Sequence, residues 1–219
     1  MSRVSPDMPT APDAARTPQP PTLWAAAALI ALYFLLQAVG SGLIALVMGA
    51  VSGLVRLGAG LGMTLPTNPA FFALAVLLGL AAPLLGGVLT YLLAHGNPVT
   101  QDIQTLGTHT PMALRVLLVI AVVALGPLVE ELLFRGVLLS SLLHRWPVGW
   151  SMAISALLFS VVHLPSMQWS WYALPDLALL ALGLAWLRLR AGSLWPAVVA
   201  HGVNNLLAVM VWFVATSPG

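Results

Sequence analysis

Ala124-Leu125-Gly126-Pro127-Leu128-Val129-Glu130-Glu131-Leu132-Leu133-Phe134-Arg135-Gly136-Val137-Leu138-Leu139 places the only two glutamates of the chain side by side. Apart from Arg135, every residue for a full helical turn on either side is apolar. An ionisable group near the centre of a bilayer costs roughly 3 kcal/mol on insertion scales, so it points to a function unless it is paired. Helical spacing gives the two carboxylates different work. Glu131 and Arg135 are four apart, share a face and can form an ion pair. Glu130 lies about 100° around the helix, which leaves its carboxyl for another partner. Two carboxylates and one arginine in a low-dielectric site do not all ionise independently, so Glu130 is expected to titrate abnormally and in concert with its neighbours. A purely structural Glu–Arg pair would explain Glu131 and Arg135 but not the second carboxylate.

The surroundings of this stretch fix the solvent. Of 219 residues 60% are hydrophobic and 6% charged, against roughly 25% charged in a soluble domain. With a mean hydropathy of +0.98, most of the surface must face lipid. Six apolar stretches follow one another: Leu23 to about Val51, Ala70–Ala94, Ala113–Leu143, Gly149–His163, Tyr172–Leu187 and Leu194–Val214. About 20 residues cross the hydrocarbon core, and backbone groups in lipid must be bonded internally, so the spans must be helices. The sequence therefore predicts an all-α polytopic transmembrane helix bundle of about six spans, or up to eight if long stretches are broken. Gly126-Pro127 is expected to kink or restart the third stretch, because proline removes a backbone donor. Trp24, Trp146, Trp150, Trp169, Trp171 and Trp195 lie at or near stretch ends, as an interfacial aromatic belt requires.

Residues 1–22 differ in kind. Six prolines, with Arg3, Arg16, Asp7 and Asp13 and little apolar content, read as a disordered polar tail. No apolar core or small-residue cleavage site gives it the character of a signal peptide. The domain division is a tail at 1–22 and a transmembrane helical domain at 23–215, with the chemistry concentrated in 113–215. All eight basic residues are arginines without patch or stripe, so no nucleic-acid partner is expected. Their distribution does not settle orientation. The absence of cysteine excludes disulfides and thiolate metal sites.

Two further polar groups lie in apolar segments. His163 ends the fourth stretch, in Phe159-Ser160-Val161-Val162-His163. His201 and Asn205 are four apart in the last stretch and share one side of that helix, a donor pair suited to a carbonyl or an oxyanion. Interhelical hydrogen bonding would account for that pair alone. Taken together, three helices would have to carry complementary polar groups for no common purpose, and a single site is the simpler account. His95, His109 and His144 fall in connections or at helix ends, Asp176 begins the fifth stretch, and Arg188 and Arg190 look like snorkelling anchors.

In this order, Glu130-Glu131-x-x-x-Arg135, Phe159-x-x-x-His163 and His201-x-x-x-Asn205 resemble the three motifs of the CPBP intramembrane peptidases, which include type II CAAX prenyl endopeptidases and Abi proteins. The resemblance covers roughly Ala113–Val214. It implies a hydrolase acting on a membrane-embedded or lipidated peptide substrate. Glu130 and His163 would activate water, His201 and Asn205 would stabilise the oxyanion, and Glu131 with Arg135 would orient the first helix. The family is often labelled metalloprotease, and Glu130, His163 and His201 could supply three zinc ligands with an open position for water. No H-E-x-x-H occurs, and a metal-free glutamate–histidine mechanism, needing only general-base chemistry, is preferred. The competing expectations are a non-proteolytic scaffold or immunity protein and a proton-coupled transporter. The compact loops point to a bacterial cytoplasmic membrane.

Overall fold

The computed structural model describes residues 61–96, 99 and 101–214, together with 35–37, 39–40, 42–44 and 46. The Pro-rich tail and most of the first apolar stretch lie outside the described residues. The rest is helical, with no strand among the described residues. In chain order the helices are α1 (Ala70–Leu93), α2 (Asp102–His109), α3 (Met112–Leu143), α4 (Val148–Val162), α5 (Leu174–Ala191) and α6 (Trp195–Val214), with short 3₁₀ turns at Pro165–Met167 and Trp171–Ala173 between α4 and α5. The short α2 falls where the sequence pattern shows only a connection.

Three of these helices, Ala70–Leu93, Met112–Leu143 and Trp171–Ala191 with its leading turn, are long and apolar enough to cross a membrane. The protein is accordingly a membrane protein. α4, at 15 residues, stops short of a full crossing. Phe159 and Ser160 near its end are buried and His163 just beyond it is half-buried, while Val161 and Val162 face outward.

α1 packs against α5 and α6 around Ala75, Leu180, Leu184, Leu187, Ala197 and Ala200. Small residues allow that closeness. A Cβ at Gly79 of α1 would collide with the Ala200 carbonyl and with Val203 of α6, the use membrane helices make of glycine where burial of apolar surface drives nothing. α4 meets α5 through Ala156, Phe159 and Ala181. The outward faces are apolar, with Leu77, Leu84, Leu85 and Leu117 all exposed.

At Gly126-Pro127 α3 changes hydrogen-bond register. The α-helical register restarts at Gly126 with Pro127 in its first turn, inside one continuous helix. Ala121–Leu125 and Leu132–Leu138 are π-helical, and the α-helical Gly126–Glu131 lies between them. In a π turn the bonds run five residues back, which widens the turn locally and leaves room for a residue without a donor. Both glutamates therefore sit on a short α segment bracketed by two wide turns.

Candidate active site

The site is built in two layers that differ in burial. In the inner layer Arg135 Nη1 donates to Glu131 Oε1 at 2.7 Å, and both side chains have 0% exposure. The i, i+4 pair expected from spacing is present. It has a third member that spacing cannot show: His201 Nδ1 lies 2.9 Å from the same Glu131 oxygen, and His201 is 4% exposed. A carboxylate only accepts, so Nδ1 carries the proton and Nε2 faces away from Glu131. Arg135 Nη2 also donates to the Ala181 carbonyl of α5 at 3.1 Å, and its guanidinium sits 4.5 Å from the centre of the Phe159 ring. One buried arginine thereby ties α3 to α4 and α5.

The outer layer is half-buried. Glu130 Oε2 lies 3.6 Å from His163 Nε2 and 3.8 Å from His201 Nε2, with Glu130 21% and His163 27% exposed. His163 Nδ1 is 2.7 Å from the Phe159 carbonyl, an acceptor, so this ring too is held with Nδ1–H inward and Nε2 toward Glu130. Three acceptor atoms thus converge at separations too long for a direct hydrogen bond and matched to a shared proton donor between them. Glu130 Oε2 has no hydrogen-bond partner among the described residues.

Phe159 is the wall that aligns these groups. Its ring centre is 4.6 Å from that of His163, 5.7 Å from His201 and 5.1 Å from Phe134. The sequence places Phe159 in a motif without giving it work. An apolar residue in an apolar chain has no contrast, and only its one-turn spacing from His163 hinted at contact.

Asn205 has a different partner. Its Nδ2 donates to the Val122 carbonyl in the first π segment at 3.0 Å, and its Oδ1 accepts from Asn204 at 3.3 Å. The structure thus brings Glu130, Glu131, Arg135, His163 and His201 together, and ties Asn205 to α3 one step away. His95, His109 and His144 are exposed. Asp176 rests against Gly86 of α1 and Arg188 against Gly62, neither at the site. Among the described residues no group of three or more His, Cys, Asp or Glu is arranged to hold a metal ion.

Residues 112–207 match the family described as Rce1-like, type II CAAX prenyl endopeptidase Rce1-like. All six residues singled out from the sequence fall within that range. Comparison with curated proteins gives no match, and comparison with solved structures gives none.

Proposed function

We propose that this chain, whose residues 112–207 match the Rce1-like type II CAAX prenyl endopeptidase family, is a metal-free glutamate-type intramembrane endopeptidase acting on a membrane-associated, lipidated peptide. The observation that supports this most is the pairing of two half-buried groups, Glu130 and His163 at 3.6 Å, in front of a buried Arg135–Glu131–His201 cluster. A structural ion pair needs no second carboxylate facing an imidazole lone pair. A general base does.

In this reading a water held between Glu130 Oε2 and His163 Nε2 gives its proton to Glu130 as its oxygen attacks the scissile carbonyl. His201 takes up a proton from bulk water at Nε2 before the attack and keeps it through the cycle, so that the doubly protonated ring, its positive charge balanced by Glu131 behind Nδ1, meets the new tetrahedral oxygen. Asn205, with one amide hydrogen committed to Val122, retains a second for the same oxyanion. Glu130 then delivers its proton to the leaving amine nitrogen, which breaks the C–N bond and restores the carboxylate. The apolar surroundings strengthen each of these contacts relative to water.

The test is cleavage of a prenylated CAAX reporter peptide in proteoliposomes. Glu130→Gln and His163→Ala are each expected to lower kcat by at least about a hundredfold, with the apparent melting temperature close to that of the parent. Cleavage at the parental rate in either variant refutes the assignment and favours a non-proteolytic scaffold.

A further inference from the structure

We propose that Asn205 is a positioning residue for Glu130: it supplies the hydrogen bond that Pro127 denies to the Val122 carbonyl, and so locks the register of the helix segment carrying the base. Gly126 N–H bonds the Ala121 carbonyl, five residues back. The next rung in that register would join residue 127 to Val122, and residue 127 is a proline without an N–H. In an apolar medium a carbonyl left without a donor is costly, since no water can take its place. Asn205 Nδ2 stands 3.0 Å from that carbonyl, from a helix 83 residues further along the chain.

Two other features support a clamp. Gly202, one turn before Asn205 on the same helix, faces the next carbonyl of the π segment: a Cβ there would lie 2.6 Å from Val123 O. The backbones are therefore as close as they can be, which sets the reach of Asn205. The second π segment has the same kind of fixture, with Ser155 Oγ of α4 donating to the Phe134 carbonyl at 3.2 Å. Each wide turn flanking the glutamates thus has a carbonyl bonded from a neighbouring helix. α6 carries both the clamp and His201, so the helix that brings an imidazole to Glu130 also holds the turn before Glu130. Without the clamp, Val122 would have to compete for the Gly126 N–H four residues on, and that change of register would turn Glu130 about the helix axis, away from His163.

The activity arm of the test rests on the peptidase reading. Asn205→Ala is introduced into the full chain with Pro127 and with Pro127→Ala, which restores an N–H aimed at Val122, and kcat and KM are measured on the CAAX reporter in proteoliposomes. Asn205→Ala is expected to lower kcat by about tenfold or more with KM little changed, and this loss should shrink by about threefold or more in the Pro127→Ala background. A loss shared by both backgrounds measures direct contact with the oxyanion, which a backbone N–H at residue 127 cannot replace. A loss that shrinks by less than about threefold overturns the proposal. Pro127→Gly restores the same donor and serves if the Pro127→Ala chain fails to fold. Should the parent chain cleave nothing, the peptidase reading has failed, and thermal unfolding of the same variants decides the clamp: Asn205→Ala must lower the melting temperature more beside Pro127 than in the Pro127→Ala chain, and equal shifts overturn it.

Discussion

Removing the Glu131 carboxylate separates the inner layer of the site from the outer one. Glu131 and Arg135 are both fully buried and joined at 2.7 Å, so Glu131→Ala leaves a guanidinium in the bundle with no counter-charge. Breaking a buried pair from one side costs about 3–5 kcal/mol, because the survivor's desolvation is no longer compensated. In a chain of this size each kcal/mol moves the midpoint by about 2–4 °C, giving an expected fall of roughly 10 °C in melting temperature. The double variant Glu131→Leu with Arg135→Leu removes both charges and fills the space with apolar side chains, and should recover most of that fall. It should not recover cleavage, because His201 Nδ1 loses the acceptor 2.9 Å away that holds its ring. The assay is thermal unfolding in detergent beside reporter cleavage in proteoliposomes. If Glu131→Ala melts within about 2 °C of the parent, the pair carries no such energy. If the double variant melts as low as the single one, uncompensated charge is the wrong cause. If it cleaves at the parental rate, Glu131 has no part in holding His201.

Phe159→Leu should lower the melting temperature by about 8–16 °C, since one ring contacts Phe134, His163, His201 and the Arg135 guanidinium, such pairs contribute about 1 kcal/mol each, and each kcal/mol moves the midpoint by about 2–4 °C. The same variant should cut kcat about tenfold or more through loss of imidazole alignment, and parental cleavage would show that the histidines do not need this wall. Gly202→Ala puts a Cβ 2.6 Å from the Val123 carbonyl, so α6 must move outward at a cost of about 1–3 kcal/mol. Cleavage should fall at least about tenfold, and a Gly202→Ala chain with parental kcat would mean that the close approach of α6 is dispensable.

Lipid made part of this site legible and hid the rest for a definite reason. Glu130, Glu131, Arg135, His163 and His201 stand out because each polar group in an apolar chain must find a partner, and few partners exist. Local spacing was enough for Glu131 and Arg135, which lie on one helix. It failed for His201, whose partner Glu131 is 70 residues away and was already accounted for by Arg135. Spacing assigns one partner per face, whereas a carboxylate oxygen has two lone pairs and here accepts from both. Phe159 was hidden for the opposite reason, being apolar among apolar residues. Gly126-Pro127 is the half-legible case. The missing donor is visible in the sequence and predicts a kink or a restart, because a helix taken alone offers Val122 nothing else. The side chain that replaces the donor belongs to α6, and with it the helix widens by a turn and continues. A proline inside a membrane helix is therefore read correctly only together with the amides and hydroxyls of its neighbours. In this chain the carbonyl it leaves unpaired lies within about two turns of the base, so the same defect that interrupts the register helps to fix where Glu130 points.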